Sequence, residues 1–150
     1  MEFPKLNLPY NQLRIRRTAT NSFKIWDQCR VKWLDATPEE WVRQNFIAYL
    51  IANKNCPVHY ISQEYPVNLN GQSQRADILV FDSTGAPWLL VECKATEISL
   101  SENVMMQAAR YNMVIKAPYL IVTNGLQHIC FGRNADSDGV LIPCELPNWP

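Results

Sequence analysis

The chain has 150 residues, 47% of them hydrophobic, and its 14 basic residues balance 14 acidic ones. That is enough chain for one domain with a proper core, and the net charge alone implies no polyanionic partner. No apolar run approaches bilayer length and no secretory apolar segment follows Met1-Glu2, so a cytoplasmic chain with no membrane partner is expected. The five cysteines, Cys29, Cys56, Cys93, Cys130 and Cys144, are odd in number and far apart, which excludes the usual zinc spacings and reads as reduced thiols.

The charge is unevenly spread. Residues 1–34 hold seven bases against two acids, a balance of +5, and the remainder holds seven against twelve, a balance of −5. A basic segment of this kind suits nucleic acid, or an ordinary solvated face. Residues 1–12, with Pro4 and Pro9, read as an extended, poorly ordered arm. Leu13 to Arg17, Phe23 to Trp26 and Arg30 to Leu34 alternate apolar and polar residues, which predicts short strands around the Asp27-Gln28-Cys29 turn. Trp26 and Trp33 read as packing residues that could also stack on bases.

Thr37-Pro38-Glu39-Glu40 is a helix start, with Thr37 as N-cap, Pro38 at the first helical position and Glu40 at the capping-box position. The helix is expected to reach about Ala52. Val58 to Tyr65 reads as a strand, Asn68 to Gln72 as a turn, and Arg75 to Ala95 as two strands around Ser83-Thr84-Gly85-Ala86. Ser99-Leu100-Ser101-Glu102 predicts a second capping box and a largely buried helix to about Lys116, with a polar stripe of Asn103, Gln107 and Tyr111. Tyr119 to Thr123 reads as a buried strand, turned at Asn124-Gly125 into Gln127 to Phe131. The tail after Gly132 is expected at the surface or loosely packed. Three units follow: an N-terminal arm and hairpin over 1–37, a core over 38–132 and a tail over 133–150.

The Arg75–Ala95 hairpin carries charge where its neighbours read as buried strand. An Asp82–Pro87 pair across the turn places Asp77 opposite Glu92, with Cβ atoms roughly 5 Å apart, so a cation is required beside them. Arg75, Asp77, Leu79 and Phe81 then share a face with Trp88, Leu90, Glu92 and Lys94. Ala76, Ile78, Val80, Leu89, Val91 and Cys93 form the core face. Two arrangements answer the repulsion. One is a salt-bridge quartet pairing Asp77 with Lys94 and Arg75 with Glu92. The other is a divalent cation on the carboxylates.

Helix, three-stranded meander, helix and strand, with Asp77 on the second strand and Glu92-Cys93-Lys94 on the third, resembles the PD-(D/E)XK nuclease superfamily. Gln107-Ala108-Ala109-Arg110-Tyr111 matches the Gln-X-X-X-Tyr of some branches, and Glu40 is the candidate for the first-helix glutamate. Ala76 stands where the motif's name has Pro. The resemblance covers about Pro38 to Phe131 and looks closest to stand-alone domains similar to the N-terminal part of type I restriction enzyme R proteins. It implies an α/β fold of α+β type with a restriction-endonuclease-like core and a mixed sheet, the strand after the second helix running parallel. It implies a metal-dependent nuclease acting on DNA. Asp77, Glu92 and the Cys93 backbone carbonyl would bind Mg²⁺ or Mn²⁺, Lys94 would position the attacking water, and Glu40 would reach the metal through water or a second ion. Gln107 and Tyr111 would hold the DNA backbone or order the site, Arg75 would contact phosphate, and Asn103 belongs to the same substrate-binding stripe. As a partner set it implies DNA, with a homodimer or a separate motor or specificity protein compatible with a chain of this length. The alternative is an inactive nuclease-fold module that binds nucleic acid or protein. His59 and His128 lie in strand-like segments and read as structural.

Overall fold

The structure, a computed structural model, describes residues 3–133 and 139–150. Its elements are β1 (Ile15–Arg17), β2 (Phe23–Asp27), β3 (Lys32–Asp35), α1 (Pro38–Lys54), β4 (Ile61–Leu69), β5 (Gln72–Phe81), β6 (Pro87–Cys93), α2 (Glu102–Ile115), β7 (Tyr119–Thr123), β8 (His128–Gly132) and β9 (Ile142–Pro143). Strands β1–β3 form a small antiparallel sheet, so the predicted hairpin extension is a three-stranded one. The other six form one mixed sheet in the order β4-β5-β6-β7-β8-β9. All neighbours are antiparallel except β6 and β7, which run parallel on either side of α2 in sequence, as the crossover rule requires.

The large sheet is buried on both faces. On one side Val42, Phe46, Ile47 and Leu50 of α1 pack against Ile78, Val80, Leu89 and Val91. On the other, Ala108 and Tyr111 of α2 pack against Val67, Ala76, Leu90, Leu120 and Val122. Ala76 therefore leaves the core face expected for it and joins the α2 side. Leu79 and Leu90 are fully buried rather than lining an open face.

Helix α1 begins as the sequence predicts, with the Thr37 hydroxyl accepting from the Glu40 amide. The reciprocal half of the capping box is absent, because the Glu40 carboxylate turns inward to Arg43 and Gln44. Helix α2 is capped by Ser101, whose hydroxyl accepts from the Val104 amide, and not by Ser99. It is also far less buried than expected. Only Ala108, Tyr111 and Asn112 are covered, while Met106, Met113 and Val114 are exposed, because the helix lies on the sheet along a single narrow stripe. Val58–Tyr60 forms a 3-10 turn, and β4 starts after it.

Both ends of the chain are docked, contrary to the expectation of a loose arm and tail. Leu6 is buried, the Asn7 amide donates to the Gly125 carbonyl, and the Trp41 indole donates to the Pro4 carbonyl. At the other end Leu146 joins the α1-side core and the Trp149 indole donates to the Phe81 carbonyl. Residues 134–138 of the predicted tail lie outside the described residues. His128 is structural, bonded to the Thr123 hydroxyl and the Asn7 carbonyl.

Gly125 joins the arm to the sheet. Its φ is +85°, and an added Cβ would lie 2.7 Å from Leu6 Cδ2 and 3.3 Å from Val42 Cγ2. Gly125→Ala is expected to lose ~1–2 kcal/mol from the backbone conformation and more from displacing Leu6. Gly85→Ala, at φ +84° with open space around the Cβ, is the control that pays only the backbone part. Urea denaturation of the two variants measures the difference, and equal losses would mean that the arm is not held there.

Candidate active site

The site grows out of the β5–β6 pairing. Ile78 pairs with Val91, Leu79 with Leu90 and Val80 with Leu89, which is the register the sequence predicts. Near the turn a bulge intervenes, and Phe81 rather than Asp82 pairs with Pro87. The shift is absorbed between Val80 and Phe81, so the far end still brings Asp77 and Glu92 together. Each carboxylate is tied to the other's strand. The Asp77 amide donates to Glu92 Oε1 at 3.2 Å, and the Cys93 amide donates to Asp77 Oδ2 at 2.8 Å.

This fixes two acidic groups at close quarters with little water. Burial, and then the Asp77 charge, push the Glu92 carboxyl up to about 9, against a Lys94 ammonium that favours its ionised form. The Cys93 side chain points to the core, where burial pushes its thiol well up. The Cys93 thiol is therefore no nucleophile here.

The cation beside the carboxylates comes from α1. Arg43 NH1 lies 3.6 Å from Asp77 Oδ1, and Arg43 NH2 donates to Glu40 Oε2 at 2.7 Å. Neither pair of the expected quartet, Asp77–Lys94 or Arg75–Glu92, occurs among the ion pairs of the described residues. Arg75 is exposed on β5. Glu40 is drawn away from Asp77 by Arg43 and by Gln44, whose side-chain amide donates to Glu40 Oε1 at 2.7 Å. Glu39, one residue earlier, is the α1 carboxylate that faces the site. Burial and the Asp77 charge raise its carboxyl, and Arg43 and Lys94 oppose them.

Behind Arg43 a buried polar network runs to the small sheet. Gln44 also donates to Gln63 Oε1, Gln63 donates to both oxygens of Asp27, and Asp27 is wholly buried. Arg30 bridges Asp27 to Glu64. Burial alone would raise the Asp27 carboxyl, but hydrogen bonds from Arg30 and Gln63 outweigh it and hold the group below its usual value. Arg43, Gln44, Gln63, Glu64, Asp27 and Arg30 are not among the sequence-predicted site residues. One signal was present. Glu40, Arg43, Gln44 and Ile47 stand at the i, i+3, i+4 and i+7 positions of the buried α1 stripe, so polar residues occupy core positions.

Helix α2 closes the site from the other side. Gln107 Nε2 donates to Tyr111 Oη at 3.2 Å. Burial, and then the Glu92 charge, raise the Tyr111 phenol, which places it within electrostatic reach of the carboxylates. Asn103 is exposed one turn earlier on the same helix. Gln107 and Tyr111 also line a polar groove of about 380 Å³, with Gln72, Gln74 and Arg110. Lys94 is half-buried just past β6, and its amide donates to the Thr123 carbonyl.

Among the described residues no three His, Cys, Asp or Glu side chains converge into a metal cage. The chemistry of the donor set still fits a hard divalent ion. Mg²⁺ is commonly held by one or two carboxylates together with substrate oxygens and water, and Asp77 and Glu92 offer two carboxylates whose mutual repulsion a cation would relieve. Those two residues, with the Cys93 carbonyl, are the groups that could hold it.

A family model for the type I restriction enzyme R protein N terminus matches residues 38–147. Among solved structures, the fold is similar to that described as a fragment of an HsdR subunit of a type I restriction enzyme from Vibrio vulnificus YJ016, with a TM-score of 0.55 and 18% sequence identity. The match covers 73% of this chain and 23% of that one, so the chain spans about a quarter of that protein, and at this identity the likeness is one of fold. No curated protein sequence matches the chain. No helix among the described residues is long and apolar enough to cross a membrane.

Two outcomes follow from the electrostatics. Glu92 sits at about 9 in the folded chain against an ordinary 4.5, so folding takes up a proton between those values. Its contribution to stability is therefore present at low pH and is lost as pH rises from about 4.5 to about 9, with a slope approaching ~1.4 kcal/mol per pH unit for one proton. In metal-free buffer, Glu92→Gln is expected to remove that slope and to be the more stable protein at pH 8. A parallel stability profile for the two proteins would contradict it. Arg43→Met leaves partly buried Asp77 without its cation and buried Glu40 with only Arg30, at 3.9 Å, and is expected to cost ~3 kcal/mol. The double variant Glu40→Gln/Arg43→Met should cost clearly less than the two single losses combined, which a double-mutant cycle by denaturant unfolding measures.

Proposed function

The chain belongs to the family of type I restriction enzyme R protein N termini, and on that premise we propose that it is a metal-dependent nuclease that hydrolyses phosphodiester bonds in DNA within a restriction-related system. The observation that carries the reading is the Asp77–Glu92 pair, held by reciprocal backbone bonds with Lys94 two residues further on. A salt-bridged sheet would pair these carboxylates with cations from its own strands, and here it does not.

The cofactor in this reading is Mg²⁺ or Mn²⁺, held by Asp77, Glu92 and the Cys93 carbonyl. When bound, the ion polarises the scissile phosphate and lowers the pKa of an attacking water. The chain's residues do the rest. Glu92, in its ionised form, would be the second carboxylate ligand. Arg43 braces Asp77 from the α1 side. The Lys94 ammonium orients the water and offsets the negative charge that builds on the phosphate oxygens. The water oxygen bonds to phosphorus as the bond to the leaving sugar oxygen breaks. Gln107 and Tyr111 hold the backbone over the pair, with Arg75 and Asn103 at the margin. In this reading Glu39, rather than Glu40, is the α1 carboxylate available to the site. The partners this reading implies are DNA and a motor or specificity protein, with a second copy of the chain as another.

One observation favours a second reading. Arg43 already supplies Asp77 with a positive charge, as in a nuclease fold kept for binding nucleic acid or a protein partner. The two readings separate on one variant. Lys94→Ala, on a half-buried side chain with no ion pair among the described residues, is expected to keep the wild-type melting temperature and to reduce Mg²⁺-dependent DNA cleavage at least a hundredfold. Cleavage by highly purified Lys94→Ala at the wild-type rate would sink the nuclease reading. An inert wild type whose melting temperature ignores Mg²⁺ would favour the binding module.

A further inference from the structure

The small sheet carries a surface that the carboxylate site does not use. Its register pairs Trp26 with Trp33 and Arg16 with Lys24, and the Trp26 amide bonds the Arg14 carbonyl. Alternation then puts Arg14, Arg16, Lys24, Trp26 and Trp33 on one face. The two indoles meet edge to face, with centroids 5.3 Å apart. The Arg14 guanidinium lies 4.6 Å from the Trp26 ring and 5.3 Å from that of Trp33, and the Arg16 guanidinium lies 4.4 Å from the Trp33 ring.

The charges on this face are unequal in their partners. Lys24 is paired to Asp35 at 2.6 Å. Arg14 and Arg16, both exposed, have no carboxylate within 4 Å among the described residues. They are held by ring faces instead, which fix a guanidinium without consuming its N–H donors. A pair of preordered, unneutralised forks on the segment that carries the chain's +5 excess is complementary to a row of phosphates. An acidic peptide would also meet the charge. Stacked arginines beside tryptophan faces, however, are what a nucleic-acid strand engages through both phosphate and base.

We propose that the Arg14–Trp26–Trp33–Arg16 face is a nucleic-acid docking platform, separate from the carboxylate site, with the two guanidiniums taking backbone phosphates. It lies outside the residues matched by the family model, 38–147. The partly buried Asp27–Arg30–Gln63–Gln44 network leads from the turn of the same sheet to α1 beside the carboxylates, so a strand held on the platform is held on a part fixed to the site.

The test is fluorescence anisotropy of a labelled oligonucleotide, single-stranded and duplex, on the full chain in EDTA, where no cleavage can occur. Arg14→Ala/Arg16→Ala is expected to weaken binding at least tenfold and to reduce the slope of log K against log salt by about 1.4–1.8, with the melting temperature kept. Arg14→Lys/Arg16→Lys, which keeps the charge and loses the stacked fork, is expected to weaken binding at least threefold. Wild-type affinity in either variant would overturn the platform, as would equal competition by an acidic peptide of the same net charge. Wild-type protein that binds the oligonucleotide in EDTA but does not cut it in Mg²⁺ would fell the nuclease reading alone, and unaltered binding by the arginine variants would fell the platform alone.

Discussion

Two carboxylates face each other across β5 and β6, and the rest of the molecule accommodates that fact. Each accepts a backbone amide of the partner strand, so neither can move away without giving up that bond. Burial, and then the Asp77 charge, raise Glu92, and the pair calls for positive charge that a buried arginine on α1 supplies in part. Burying that arginine then requires Glu40, Gln44 and the network behind them, because an unpaired buried charge costs several kcal/mol. The small sheet is joined to the core through this chain of polar groups. Its Asp27 is the inner terminus of a line whose outer terminus is Asp77.

The fold was largely legible in the sequence because its signals are local. Thr37-Pro38 and Asn124-Gly125 set boundaries by their own backbone preferences. The period of two in β5 and β6 fixed a register that survives one bulge near the turn. The parallel β6–β7 pair followed from helix α2 lying between them in sequence. What sequence could not give was the docking of the ends. Leu6 and Trp149 look like isolated apolar residues among prolines, and only the finished sheet offers the places they fill. Helix α2 misled in the opposite direction. Its composition is mostly apolar, but one narrow stripe is all that meets the sheet.

The site was legible in part. Asp77, Glu92, Gln107 and Tyr111 come together because strand register and four-residue helical spacing are short-range geometry. The partner cation was not legible. Lys94 and Arg75 are the nearest bases along the two strands, yet Arg43 reaches Asp77 from another element, and no strand-level argument contains it. The choice between Glu39 and Glu40 likewise depended on which carboxylate Arg43 and Gln44 would claim.

The central claim is that the Asp77–Glu92 pair is a divalent-cation site. The most direct measurement is a crystal structure of the protein soaked in Mn²⁺, with anomalous scattering recorded at the manganese edge. A peak is expected between the Asp77 and Glu92 carboxylates and is lost in Glu92→Gln. An empty cleft at saturating Mn²⁺, with Arg43 still the only cation against Asp77, would contradict it.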